Sequence, residues 1–185
     1  MRKLIYSMGV SLDGYIAGPG DEIDWSAPDE ELHRFHNQQT RDVGVHLYGR
    51  RLYETMVYWE TVDQDPAASD VALEFAEIYK RQPKLVFSTT LSSVTGNATL
   101  ATGDPGEIVR QLKQEPGKDL AVGGAGLAST FMELDLIDEY RLFVAPVILG
   151  AGTRFFTGLR QRLELELIET RTFSSRVIYA RYRRV

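Results

Sequence analysis

Along the chain, short runs of apolar–polar alternation take turns with longer runs in which apolar residues recur every three or four positions. β-Branched and aromatic residues concentrate at 4–10, 45–48, 84–88, 120–122, 140–149, 163–169 and 177–182, which predicts strands there. Helical spacing fills 30–40, 51–59, 69–81, 105–114 and 127–134. In the third of these, Ala72, Phe75, Ala76 and Tyr79 share one face, and Asp104-Pro105 supplies the fourth with an acidic cap and a first-turn proline. Strand and helix alternate through most of the chain, the pattern of a parallel sheet built from strand–helix–strand units. From Tyr140 onward the strands follow one another with no room for crossover helices, so they should pair antiparallel at one edge. The expected architecture is an α/β domain with a mixed sheet. Residues 62–69 read as a polar, proline-containing connection, and no internal repeat is visible.

At 185 residues the chain is expected to form one domain, 1–185, with a well-buried core. Its 43% hydrophobic and 25% charged residues match soluble globular proteins. The net charge of −5 and pI near 5.3 offer no electrostatic footprint for nucleic acid, which is not an expected partner. Arg181, Arg183 and Arg184 alternate with Ala180 and Tyr182 and read as the solvent face of a last strand. The absence of cysteine excludes disulfides, thiolate zinc sites, iron–sulfur clusters and cysteine nucleophiles. The opening MRKLIYSMGVSLDG has too short an apolar run for a signal peptide, and no stretch approaches a membrane span. A cytoplasmic protein without membrane partners is expected, in which the sequon Asn97-Ala98-Thr99 carries no meaning.

Three strand-to-helix or strand-to-loop turns carry candidate chemistry. Val122-Gly123-Gly124-Ala125-Gly126-Leu127 can bring bare amides and a helix N-terminus to a phosphate, although glycine turns at such junctions also arise for steric reasons alone. It is not the dinucleotide fingerprint of the doubly wound fold, because Ser129 stands at the third glycine position. In Gly49-Arg50-Arg51-Leu52 an arginine can pair bidentately with a phosphate, or either arginine can be a solvated charge. Ser88-Thr89-Thr90 offers hydroxyls for a phosphate or for capping a turn. In an α/β sheet ligands sit at the carboxyl ends of strands, so together the three turns point to an extended anionic ligand such as a dinucleotide. Arginine beside hydroxyls favours NADP over NAD.

Five motifs, in order, widen this reading: Ser11-Leu12-Asp13-Gly14-Tyr15-Ile16-Ala17, Gly49-Arg50-Arg51-Leu52-Tyr53-Glu54, Gly123-Gly124-Ala125-Gly126, Leu136-Ile137-Asp138-Glu139 and Pro146-Val147-Ile148-Leu149-Gly150. From about residue 2 to the end, the chain resembles the riboflavin-biosynthesis reductase C-terminal domain within the dihydrofolate reductase superfamily. The resemblance implies a three-layer fold whose central eight-stranded sheet is mixed and mostly parallel, flanked by helices, with an antiparallel C-terminal edge. It implies NADPH as cofactor, held by Gly49, Arg50, Arg51, Leu52, Ser88, Thr89 and Thr90, with Ala17, Ala125, Gly126 and Leu127 alongside. It further implies a cis peptide at Gly123-Gly124 beneath the nicotinamide and pyrophosphate. The activity implied is reduction of a small heterocycle, of the 5-amino-6-(5-phosphoribosylamino)uracil reductase type. In the riboflavin enzyme a zinc-dependent deaminase usually precedes this domain; nothing precedes Met1 here, so a single activity is expected. Trp25-Ser26-Ala27-Pro28, followed by Glu30-Glu31-Leu32 and Phe35, resembles instead the Trp-x-x-Pro and helix-borne carboxylate of dihydrofolate reductases, so a pterin or folate substrate stays open. A third alternative is an NADP-binding protein without turnover.

Reduction of an imine or carbonyl needs a proton source, and Asp13 and Glu31 are the candidate acids and substrate contacts. Asp13-Gly14 is equally a common turn dipeptide, and Glu31 can simply favour a helix start. Trp25 is a candidate substrate contact in a loop able to close over a site. His33, His36 and His46 form no metal set and are read as surface residues. The apolar run 142–148 is expected to offer a sheet edge that a homodimer would cover.

Overall fold

The computed structural model describes residues 1–159 and 161–185. Its chain order is β1 (Leu4–Ser11), β2 (Tyr15–Ala17), α1 (Glu30–Arg41), β3 (Val43–Gly49), α2 (Arg50–Met56), α3 (Asp70–Arg81), β4 (Lys84–Phe87), β5 (Ala98–Leu100), α4 (Pro105–Gln114), β6 (Asp119–Gly123), α5 (Ala125–Glu133), β7 (Glu139–Ala145), β8 (Thr153–Arg154), β9 (Leu165–Thr172) and β10 (Ile178–Arg184). Eight strands form one sheet in the order β5-β4-β3-β6-β1-β7-β10-β9, while β2 and β8 pair as a separate ribbon. All neighbours from β5 to β7 are parallel; β10 is antiparallel to both β7 and β9. This is the mixed, mostly parallel sheet with an antiparallel C-terminal edge.

Side chains alternate across a strand, so each strand feeds two layers. Leu4, Tyr6 and Val10 of β1, Leu47 of β3, Leu120 and Val122 of β6 and Tyr140 of β7 face one way, onto Val109 of α4 and Ala128, Phe131 and Met132 of α5. The other face meets Leu32 and Phe35 of α1 near β7 and β10, and Tyr53 of α2 and Tyr79 of α3 near β3 and β4. The three-layer expectation is met. Asp29, Ser69 and Asp104 cap α1, α3 and α4 through their side chains, and Pro105 opens α4.

Several boundaries move for local reasons. The helix expected over 51–59 stops at Met56 and tightens into a 3-10 turn, Val57–Glu60, where β-branched Val57 meets a run of bulky side chains and Trp59 packs edge-on against Phe75. The strand expected to run to 149 ends at Ala145, because Pro146 has no amide to give a ladder and Val147 folds back to bond the Ala145 carbonyl. β2, β5 and β8, of two or three residues each, are too short to show in the pattern. The run 142–148 is no edge: β7 lies between β1 and β10, and the sheet's edges are β5 and β9. No helix among the described residues is long and apolar enough to cross a membrane.

Arg181 is not on a solvent face either. Glu139, 1% exposed, accepts from Arg141 Nε at 2.7 Å and from Arg181 Nε at 2.8 Å and Nη2 at 3.0 Å, with Lys3 Nζ 3.6 Å away. The cluster joins β1, β7 and β10 across their pairing. Burial alone would raise the Glu139 carboxyl; hydrogen bonds and charge from Arg181 and Arg141 outweigh it and hold the group below its ordinary value. Replacing Glu139 with alanine should cost about 3–5 kcal/mol in urea denaturation, because it strands buried guanidinium groups. A depressed carboxyl stabilises fully above its unfolded pKa and loses that stabilisation as pH falls. The Glu139→Ala protein should therefore lose less stability than the parent between about pH 5 and pH 3.

Candidate functional site

The three turns lie side by side. β4, β3 and β6 are parallel neighbours, so Ser88-Thr89-Thr90, Gly49-Arg50-Arg51-Leu52 and Gly123-Gly124-Ala125-Gly126-Leu127 leave the same end of the sheet. Arg50 spans two of them: its Nε donates to Glu54 at 2.8 Å and its Nη1 to Thr90 Oγ1 at 2.9 Å. Ser88 Oγ accepts from the amides of Thr90 at 3.2 Å and Leu91 at 3.0 Å, which shapes the second turn. Thr89 and Arg51 are exposed, and Arg51 makes no ion pair among the described residues.

Leu52 and Leu127 lock the turns after β3 and β6 together. A Cβ at Gly123 would collide with Leu52 Cδ2, and one at Gly49 would sit 3.7 Å from Leu127 Cβ. The expected cis bond is absent: the Gly123-Gly124 peptide is trans, and the reversal comes instead from Gly124 at φ +86°, a conformation that glycine reaches without a Cβ clash. Gly124 is the N-cap of α5 and provides no side-chain cap, while a Cβ at Gly126 would meet nothing within 4 Å. An uncapped helix start with open space before it, next to a guanidinium and hydroxyls, fits an anionic group. Ala17 takes no part in these turns. It is buried in β2, with its carbonyl against Gly152.

Beside the turns the second face of the sheet is thin. Ser7 and Gly9 of β1 and Ala121 and Gly123 of β6 put little volume toward α1, and a cavity of about 300 Å³ opens there. Its walls include His36, Gln39 and Thr40 of α1, Leu52 and Met56 of α2, Trp59, Phe75, and Arg141 and Phe143 of β7. Gly123 and Leu52 belong both to this cavity and to the turns, so one site passes into the other. A larger cavity of about 410 Å³, lined in part by Met132, Leu134, Tyr140 and Arg184, lies at the opposite end of the sheet, by the last turn of α5. It is remote from the turns.

The histidines are not surface residues. His36 and His46 line the cavity, and His33 sits edge-on to Trp59 at 5.8 Å. Gln82 Nε2 donates to the carbonyls of Thr40 at 2.5 Å and Val43 at 3.0 Å, so its oxygen faces His46 Nε2, 2.5 Å away, and that nitrogen carries the hydrogen. Burial pushes the His46 imidazole down to about 4, against the Gln82 bond.

Both anticipated acids are occupied elsewhere. Asp13 accepts from Ser11 Oγ at 2.7 Å and from the amides of Leu149 at 3.1 Å and Gly150 at 2.7 Å. The Ser11 bond above all, with these amides, lowers its carboxyl to about 2, and the anion clasps the 149–150 loop. Glu31 accepts from Arg171 at 2.8 Å and from the Ser174 amide at 3.0 Å and hydroxyl at 2.8 Å. The Ser174 amide, then Arg171, hold it near 2, fastening α1 to the β9–β10 hairpin. Neither lines the cavity, nor does Trp25, which packs beside Leu32 and Phe35 and donates Nε1 to the Glu22 carbonyl at 3.1 Å. The cavity residues escaped the sequence reading because they come from eight separated elements; the one local signal was the small Ser7 and Gly9 at alternate positions of an otherwise bulky strand.

The family model of the RibD C-terminal domain matches residues 2–179. The uncharacterized protein YyaP of Bacillus subtilis (strain 168) is 36% identical over 98% of this chain and 94% of its own length. Among solved structures, a protein of Shewanella sp. PV-4 assigned to riboflavin biosynthesis superposes with a TM-score of 0.77 at 22% identity, covering 100% of this chain and 99% of that one. Dihydrofolate reductase from Enterococcus faecalis, solved with NADP(H), gives 0.63 at 13% identity over 98% and 96%. The fold is thus dihydrofolate-reductase-like.

Asp13→Asn should loosen the clasp, since an amide presents one acceptor where the carboxylate presents two. Hydrogen exchange at the Leu149 and Gly150 amides should speed up. In the parent the depressed carboxyl keeps these amides protected at any pH above the ordinary aspartate value, and protection should fade only as pH falls toward about 2.

Proposed function

Because this chain belongs to the RibD C-terminal domain family, we propose that it is an NADPH-dependent reductase of a small heterocyclic metabolite, of the 5-amino-6-(5-phosphoribosylamino)uracil reductase type. The observation that carries the reading is the continuity of the three turns with the cavity through Leu52 and Gly123. It supports an extended anionic cofactor on the turns with its reactive end at the mouth of a pocket sized for one or two rings.

When bound, the cofactor supplies a hydride; the chain supplies placement. Arg50, already held toward Thr90, is positioned to pair with the additional phosphate that distinguishes NADPH from NADH. The uncapped start of α5 takes the pyrophosphate, and Gly124 and Gly126 let it come close to the main chain. The mostly apolar cavity excludes water around the substrate ring. A folate-type arrangement is disfavoured, because among the described residues no Asp or Glu lines the cavity and Glu31 is held by Arg171 and Ser174. A homodimer, if formed, would use the β9 edge, where Leu167 and Ile168 are exposed, rather than β7.

NADPH should bind more tightly than NADH in a fluorescence titration, and Arg50→Ala should remove about 1.5–3 kcal/mol of that preference, the worth of a hydrogen bond to a charged group. Equal affinity of the unmodified protein for the two cofactors defeats the assignment. Gly124→Val should abolish NADPH binding while leaving far-ultraviolet circular dichroism unchanged, because φ +86° is forbidden to a β-branched residue. Binding without turnover on any heterocycle of a substrate panel would identify a binding protein instead of an enzyme.

A further inference from the structure

Reduction leaves a developing negative charge on the substrate, and a dry pocket needs a group to meet it. Of the polar side chains around the cavity, Ser7, Tyr48 and Trp59 make no side-chain hydrogen bond among the described residues, and four others are engaged by the protein. Gln39 Oε1 accepts from Arg141, Arg141 also holds Glu139, Thr40 Oγ1 donates to the His36 carbonyl at 2.8 Å, and His46 is tied to Gln82. Among the described residues, the ring nitrogens of His36 make no hydrogen bond to the protein.

The placement of that ring is specific. His36 lies on Phe143, with ring centroids 4.3 Å apart, and Phe143 pairs in register with Gly9. Gly9 has no side chain, and the nearest atom to a Cβ there would be Ser26 Cβ at 3.6 Å. Ser26 thus covers the end of the strand, while the small Ser7, Ala121 and Gly123 leave room beside the unpartnered imidazole for a planar ring whose edge carries a hydrogen-bonding atom.

We propose that His36 is the side chain that hydrogen-bonds the reducible end of the substrate, in the role for which a carboxylic acid was expected. The inference rests on the reductase reading. Burial, and secondarily the charge of His33, pushes the His36 imidazole down to about 4, so it is neutral at physiological pH and donates one N–H without bringing a charge. For a C=N group the step balances as a two-electron reduction by the dihydronicotinamide: hydride and its electron pair form the new C–H bond, and the π pair moves to nitrogen. That nitrogen takes its proton from water at the open mouth of the cavity, leaving hydroxide in solvent, while the His36 N–H holds the developing lone pair.

Two tryptophans are present, and Trp59 lines the cavity while Trp25 does not. In a Trp25→Phe background, 5,6-diaminouracil should quench Trp59 fluorescence, and the ring ¹⁵N resonances of His36 should shift on its addition. His36→Met should weaken diaminouracil by about tenfold and lower kcat with the phosphoribosylamino substrate by about a hundredfold, with His36→Gln recovering part of both. NADPH affinity should stay unchanged in both variants. Absence of Trp59 quenching or of a His36 shift in the protein with native His36 overturns the proposal even if the variants fail to fold. Unchanged diaminouracil affinity and kcat in both variants also overturn it, and leave the reductase reading standing. Failure of the unmodified protein to bind NADPH strikes instead at the reductase reading itself.

Discussion

The structure depends on the fixed register of β1 between β6 and β7. Leu4, Tyr6 and Val10 must face α4 and α5 to complete the larger core, and this commits Ile5, Ser7 and Gly9 to the opposite layer. A slip of one residue would turn the small face onto α4 and α5 and the large one onto α1, so the register is fixed by both layers. With Ala121 and Gly123 of β6 alongside, the second layer receives too little volume for α1 and α2 to close over. The cavity is therefore a by-product of the packing that stabilises the opposite face. The same parallel pairing that sets β1 also brings the ends of β4, β3 and β6 level, and that alignment makes one cradle of three otherwise ordinary turns.

Charge is distributed so that the cavity stays neutral. Asp13 and Glu31 spend their carboxylates on loops, and Arg141, the one formally charged side chain among the described residues of the cavity wall, is balanced by Glu139 beneath it. Burial holds His36 and His46 uncharged. A neutral, largely apolar enclosure leaves hydrogen-bond geometry as its means of discrimination, and a site built that way rejects analogues that leave a buried polar group unpaired. The anionic part of any ligand has to lie outside, on the turns, where Arg50 and the start of α5 are exposed to it.

What the sequence made legible follows the range of the interactions involved. Helix spacing, caps and the three turns are local, and Asp104-Pro105, Ser88-Thr90 and Gly123-Gly124 lie where their patterns put them. Five ordered motifs gave the family, and with it the sheet of eight strands. Strand order is not local, and that is why the apolar run from Leu142 has the pattern of an edge although two strands cover it. The cavity was hidden for the same reason: His36 and His46 read as solvated singles until α1 and β3 are folded against β1 and β6. Asp13 and Glu31 looked like candidate acids because their types and places suited the chemistry, whereas their partners, Gly150 and Ser174, stand more than a hundred residues away.

Leu52 joins these two scales. It opens the helix after the Gly-Arg turn, contacts Gly123 and Gly124 from the side, and lines the cavity. Any ligand that presses on the glycine turn therefore presses on a wall of the pocket, and a ring in the pocket restricts the same side chain. Close-packed interiors transmit such displacements rather than absorb them, so occupation of the turns and of the cavity cannot be energetically independent.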